Sequence, residues 1–220
     1  MIQGSEEWLQ ARVGVVTASN FSKVFTTAGK LSTSREGLIN QLIAEKLTNA
    51  PTETFKSSAM ERGNELEAQA RAMFEFLMGV EVEEVGLIKM EGHEIGCSPD
   101  GVFDDTGIEI KCPLPATHCA YLRANKLPTA YVQQVQGTML VLGLERYVFM
   151  SFHPEMKPLI IEVKRDNKLL ELAEPLLIET ADIIKSETER LRKEECLITI
   201  TTTVAHCGRT TIRPLKSTQP

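Results

Sequence analysis

The stretch Ser98-Pro99-Asp100-Gly101-Val102-Phe103-Asp104-Asp105-Thr106-Gly107-Ile108-Glu109-Ile110-Lys111 constrains the fold more than any other part of the chain. Its polar centre, rich in Asp, Thr and Gly, lies between two β-branched runs and predicts two short strands joined by a tight turn. Side chains alternate along a strand, so Glu109 and Lys111 share one face while Ile108 and Ile110 share the other. With Asp104 and Asp105 in the turn, Asp100 comes opposite Glu109. Two carboxylates roughly 5 Å apart across a strand pair repel each other, and a cation between them removes the conflict. Hard divalent ions such as Mg²⁺ or Mn²⁺ favour oxygen ligands of this kind. A plainer reading stands beside this one: Pro-Asp-Gly is a common turn, and Glu-x-Lys on a strand face is often a solvated pair. The metal reading depends on register, because a slip of one residue carries Asp100 to the opposite face.

The 220 residues fit one large domain over 1–195, able to bury a full core without staples, followed by a tail over 196–220. No apolar run approaches the roughly 20 residues of a membrane span. The N-terminus lacks the basic-then-apolar pattern of a signal peptide, so a cytoplasmic protein is expected. Five cysteines with no CxxC pair suit free thiols in a reducing compartment. Cys112, His118 and Cys119 match no common zinc spacing. The net charge of −6 excludes a wholly basic surface but not nucleic acid, since binding follows local phosphate contacts.

Along the chain, a short helix is expected over 5–14, capped by Ser5 and stopped by Gly14, with Trp8 in the core. A second helix over 17–24 would have Thr17 as its cap; Arg12 beside that N-terminus makes either a phosphate site or simple capping with a surface arginine. Ser34 caps a third helix with Leu38, Ile39, Leu42, Ile43 and Leu47 on its buried face. A long helix over 58–78 carries Met60, Leu66, Ala70, Met73 and Leu77 inward, with Glu67 at the border as a flanking charge or a site residue. The period then changes to two: strands are expected over 80–90 and 94–98, then the hairpin, with Pro113 and Pro115 ending it. Helices over 116–125 and 129–143 follow, the second with Tyr131, Val132, Val135, Met139 and Leu142 on its buried stripe and Gln133, Gln134 and Gln136 beside it. Strands over 146–152 and 159–164 and a helix capped by Asp166 and reaching about 195 complete the domain. The tail has three basic residues, Arg209, Arg213 and Lys216, and no acidic one.

The motifs Trp8-x₃-Arg12-x-Gly14-Val15-Val16-Thr17-Ala18-Ser19, Arg62-Gly63-x₃-Glu67-x₂-Ala70-Arg71-x₂-Phe74-Glu75, Cys97-Ser98-Pro99-Asp100-Gly101, Ile108-Glu109-Ile110-Lys111-Cys112-Pro113 and Gln134-Val135-Gln136 occur in that order. Together they resemble the lambda-type phage exonucleases, the YqaJ-like viral recombinase family of the PD-(D/E)xK nuclease superfamily, over residues 5–195. The resemblance implies an α/β fold, a central mixed β-sheet flanked by helices with a restriction-endonuclease-like core. It implies Asp100, Glu109, Glu67 and the Ile110 carbonyl as metal ligands, and Lys111 as the residue that orients or helps deprotonate the attacking water. Bound cations would press the Lys111 pKa downward. Gln134 or Gln136 would lie beside the scissile phosphate, and Arg12, Thr17 and Ser19 would hold a 5′-terminal phosphate. The implied activity is a Mg²⁺-dependent 5′-to-3′ exonuclease on duplex DNA ends that releases mononucleotides, with two ions per site and Mn²⁺ able to substitute. The implied partners are two further copies in a ring-shaped homotrimer and a phage single-strand annealing protein. Two alternatives stay open: an endonuclease of the same superfamily, and a DNA-end binder without turnover.

Overall fold

The computed structural model describes residues 3–52 and 58–194, so the tail expected at 196–220 and the side chain of Met60 lie outside the described residues. The elements run α1 (Glu6–Ala11), β1 (Val16–Thr17), a 3-10 turn (Ala18–Asn20), α2 (Phe21–Val24), α3 (Arg35–Thr48), α4 (Ser58–Met78), β2 (Ile88–Lys89), β3 (Ile95–Cys97), β4 (Gly101–Phe103) and β5 (Thr106–Lys111). They continue with α5 (Pro115–Ala124), a 3-10 turn (Thr129–Tyr131), α6 (Val132–Leu142), β6 (Arg146–Ser151), β7 (Leu159–Lys164) and α7 (Asn167–Glu194). No helix among the described residues is long and apolar enough to cross a membrane.

The strands form two mixed sheets flanked by helices. One has the order β1-β3-β2 and the other β4-β5-β6-β7. In the second sheet β5 and β6 are parallel, while β4 and β7 are antiparallel to their neighbours. The alternation of β5 and β6 divides the core around this sheet. Ile108, Ile110, Val148 and Met150 pack with Ala70 and Phe74 of α4. Tyr147, Phe149 and Val163 pack on the opposite face with Val135 and Met139 of α6. Burial of side chains of this size contributes about 1.5–3 kcal/mol each. Gly107, on the α6 face, lies against the Tyr147 ring where a β-carbon would clash. A third cluster joins α2, α3 and α7 to the first sheet through Phe21, Phe25, Leu38, Leu42, Ile95 and Leu177.

Several local expectations give way to tertiary demands. The helix expected to begin at Thr17 is a 3-10 turn followed by the single turn of α2, because Val16 and Thr17 pair in parallel with Ile95 and Gly96. Thr17 makes no capping bond there. Ser34 precedes α3 but its side chain likewise makes no cap bond. On α4 the inward residues are Ala70 and Phe74, whereas Met73 and Leu77 are exposed. The long strand expected over 80–90 contracts to Ile88–Lys89, and its earlier part pairs with the hairpin through an isolated bridge from Glu83 to Val102. Ser5 does cap α1, accepting from the Trp8 amide at 3.2 Å, and Asp166 Oδ1 accepts from the Leu169 amide at 3.1 Å at the start of α7.

Candidate active site

The hairpin β4-β5 turns through Asp104 and Asp105, with Asp104 in the left-handed region at φ 49°. Its pairs are Gly101–Ile108, Val102–Gly107 and Phe103–Thr106, so Asp100 stands just before the paired stretch, across from Glu109. Gly101 is required by close approach, since a β-carbon there would run into Val82 Cγ1. Asp100 Oδ2 accepts from the Ile110 amide at 2.6 Å. The strand β5 is buried along almost its whole length, and it carries Glu109 inside with it. Glu109 Oε1 accepts from Lys111 Nζ and, at 2.5 Å, from Gln134 Nε2 of α6. Lys111 also lies 5.7 Å from the centre of the Tyr131 ring.

Burial first, and then the neighbouring Asp100 and Glu67 charges, push the Glu109 carboxyl up to about 7 against the opposing pull of Lys111. Burial raises Asp100 as well, with Lys111 and the Ile110 amide opposing. Glu67, on α4, is raised by burial and by Asp100, while Arg71 and Lys111 work the other way. The sequence leads one to expect a Lys111 pKa pressed down by cations. That expectation concerns the ion-bound site; among the side chains alone burial lowers the Lys111 pKa, but Glu109 and Asp100 prevail and hold the amine above its ordinary range. With carboxylates as its neighbours Lys111 is a firm ammonium.

Glu67 is drawn aside by Arg71, which donates to its Oε1 at 2.9 Å and pairs also with Glu84. Accordingly, among the described residues no three Asp, Glu, His or Cys side chains are gathered as a ready metal cage. The donor set nevertheless fits a hard divalent ion. Asp100 and Glu109 offer oxygen only, burial raises both carboxyls and the Asp100 charge raises Glu109 further, and a second cation beside Lys111 would favour their ionised forms.

The two glutamines part company. Gln134 reaches Glu109, but Gln136 is not brought to the carboxylates. Its Nε2 donates to the Lys164 carbonyl at 2.8 Å and its Oε1 accepts from the Asp166 amide at 2.8 Å, so it ties β7 to the start of α7. Gln133 is buried too, donating to the Phe25 carbonyl. Helical spacing of 100° puts 134 on a different face from 133 and 136. His118 is also structural: one ring nitrogen bonds Ser151 Oγ at 2.7 Å and the other the Lys157 carbonyl at 3.0 Å, which leaves it no zinc-binding lone pair.

Arg12, Thr17 and Ser19 do come together. Arg12 Nη2 lies 3.3 Å from Thr17 Oγ1 and 3.3 Å from Ser19 Oγ, and the two hydroxyls are 3.1 Å apart. Trp8 is not a core residue. It is half-buried, the Arg12 guanidinium stacks 4.2 Å from the centre of its ring, and its Nε1 donates to Ser98 Oγ at 3.0 Å. Arg12 Nη1 reaches the same Ser98 oxygen at 3.5 Å. Sequence reasoning missed Ser98 as the link between this pocket and Asp100. The signal was present: a hydroxyl residue two places before the metal-ligand candidate, directly after β3, the strand that pairs with Val16–Thr17 in β1.

A mixed sheet with a buried and a half-buried carboxylate and an amine at the end of its hairpin, flanked by a hydroxyl-and-arginine pocket, defines an α/β nuclease fold of the exonuclease type. Residues 7–145 match the YqaJ-like viral recombinase domain, and the chain belongs to that family, which places it among phage-type nucleases acting on DNA. Two crystal structures of the alkaline exonuclease LHK-Exo from Laribacter hongkongensis, one in complex with dAMP, share 32% identity and a TM-score of 0.79 with it. Each alignment covers 87% of this chain and 98% of the other. A phage-related exonuclease from Haemophilus somnus 129PT, at 16% identity and a TM-score of 0.63, covers 80% of this chain and 96% of its own and shares the fold. A search of curated protein sequences gave no significant match.

Proposed function

We propose that this chain is a Mg²⁺-dependent exonuclease that degrades duplex DNA from its ends in the 5′-to-3′ direction, releasing mononucleotides and leaving 3′ single strands. One relationship carries this reading. Ser98 touches the Arg12 pocket and Asp100, two residues on, joins the carboxylate cluster. Two residues of extended chain span about 7 Å, so a terminal phosphate held by Arg12, Thr17 and Ser19 would leave the next phosphodiester close to Asp100 and Glu109.

In this account Asp100, Glu109, the Ile110 carbonyl and Glu67 hold Mg²⁺, two ions per site, with Mn²⁺ able to substitute. Bound there, the ions would polarise the phosphoryl oxygens, provide a nucleophilic water at neutral pH and neutralise the leaving oxygen. The protein's own residues set the geometry. Gln134 fixes the Glu109 carboxylate against α6, the Ile110 amide fixes Asp100, and Lys111 presents a positive N–H donor to the attacking water or the phosphate. Glu67 would have to exchange Arg71 for the ion, a rotation available to a half-buried side chain on the same helix face. The Arg12 guanidinium, held over the Trp8 ring, offers its remaining donors to a 5′-phosphate, the planar anion recognition to which arginine is suited.

The assembly proposed is a ring-shaped homotrimer around the DNA, acting in the bacterial cytoplasm beside a phage single-strand annealing protein. An apolar group at the end of α4, with Phe76 82% exposed beside Met73, Leu77 and Met78, supports a subunit contact there. Digestion of end-labelled linear duplex with Mg²⁺ tests the whole reading. Mononucleotides released first from 5′-phosphorylated ends are expected, with closed circles untouched. Internal cuts, or release from 3′ ends, would overturn it.

A further inference from the structure

The outer face of α7 holds a groove of about 780 Å³ that no part of the proposed reaction uses. Apolar side chains from Pro175, Ile178 and Ile183 line it, and Glu171, Glu174 and Asp182 edge it. A fourth carboxylate there, Glu179, is already paired with Arg35 at 3.1 Å. We propose that the basic C-terminal tail, residues 196–220, folds back and docks in this groove of its own chain.

Charge and pattern both point to that occupant. The tail carries Arg209, Arg213 and Lys216 and no acidic side chain, in a chain whose net charge is −6. Its basic residues are interleaved with apolar ones in Arg209-x₂-Ile212-Arg213-Pro214-Leu215-Lys216, which matches a groove where apolar and acidic side chains also alternate. Three cations face three carboxylates not occupied by Arg35. Reach is sufficient. From Glu194 back to Asp182 is about 18 Å of helix and to Glu171 about 35 Å, whereas the fifteen-odd residues before Arg209 extend to roughly 50 Å. Tethering makes the contact intramolecular, with an effective concentration in the millimolar range, so pairs that are individually weak at the surface suffice together. The proposal is independent of the nuclease reading: none of the groove's lining residues belongs to the candidate active site, and it would survive the loss of that account.

The test is zero-length carbodiimide coupling of the full-length protein, which joins an amine only to a carboxylate it touches. Lys216 is the one tail lysine, and an equimolar mixture of ¹⁴N and ¹⁵N chains separates couplings within a chain from those between chains. Expected are Lys216 couplings to Glu171, Glu174 or Asp182 within one isotope, falling about tenfold in high salt as screening requires. The triple variant Glu171→Lys, Glu174→Lys, Asp182→Lys should lose them. Adding Arg209→Glu, Arg213→Glu and Lys216→Glu should restore coupling with the charges exchanged, which keeps the test decisive if the triple variant folds poorly. Couplings only between isotopes would place the tail on a neighbouring copy and overturn the proposal. Couplings to other surfaces, or to none, would do the same.

Discussion

Gln134 and Glu109 are joined at 2.5 Å, so a helix and the central strand hold one carboxylate between them. The bond gives Gln134 a role that the neighbouring glutamine, engaged with Lys164 and Asp166, does not have. Gln134→Leu is expected to lower kcat by about 10- to 100-fold, the effect of losing one positioning hydrogen bond in a preorganised site, with little change in Tm. Gln136→Leu should do the reverse. It leaves two part-buried main-chain groups without their side-chain partner and costs about 1 kcal/mol of stability, while specific activity of the folded enzyme is retained. Steady-state rates and denaturant melts on the pair check both halves.

The Glu109 carboxyl makes stability depend on pH in a definite sense. Its folded pKa of about 7 lies above the ordinary value of 4.5, so between these the folded state binds more protons than the unfolded one. Stability must therefore fall as pH rises through that window, and Asp100, also raised, pushes the same way. Lys111, raised above its ordinary 10.5, contributes stability that is fully present below that value and constant across the window. In chelator, Tm is expected to decline from about pH 5 to about pH 7.5. Glu109→Gln should flatten the decline, and Mg²⁺ should offset it at the upper end, because an ion bound to the folded state favours the ionised carboxylates. Calorimetric melts across the range, with and without Mg²⁺, decide it.

Lys111 compensates two acids at once, and its loss should be felt twice. Lys111→Ala is expected to abolish detectable turnover. It should also destabilise the metal-free protein, by less than the ~3–5 kcal/mol of a broken buried pair, because the Lys111 side chain is 28% exposed and Glu109 can take up a proton. Lys111→Arg should recover much of the stability and little of the rate, since a guanidinium keeps the charge but not the compact ammonium geometry. Melts and single-turnover assays on the two variants separate the effects.

Arg12 should decide which ends are used. With its guanidinium clamped between Trp8, Thr17, Ser19 and Ser98, Arg12→Ala is expected to reduce degradation of 5′-phosphorylated ends by about 10²-fold or more, the scale of a lost charge-assisted bidentate contact, and to leave 5′-hydroxyl ends nearly unaffected. Equal loss on both kinds of end would remove the pocket from the account.

Some of this architecture can be read directly from the residues. The bounds of α4 and β7, the Asp104–Asp105 turn and the apposition of Asp100 and Glu109 follow from period, turn chemistry and register. Legibility ends where tertiary neighbours decide. Trp8 looks like a core residue because it is large and apolar, yet α1 buries none of its side chains and its ring serves Arg12 instead. Thr17 has the composition of a helix cap, but a strand partner more than 70 residues away claims its backbone. The inward face of α4 is set by Phe74 against Phe103 across the hairpin, a contact that no helical period specifies. Gln134 and Gln136 are alike in sequence, and only the position of β7 distinguishes them.

The central claim is that Asp100 and Glu109 hold divalent ions at the end of the hairpin. Anomalous diffraction from crystals soaked in Mn²⁺ measures this directly. The account predicts a peak about 2.2 Å from oxygens of both carboxylates, with Glu67 turned from Arg71 toward it, and no such peak in Asp100→Asn. Manganese elsewhere, or none while the same crystals bind DNA ends, would contradict it.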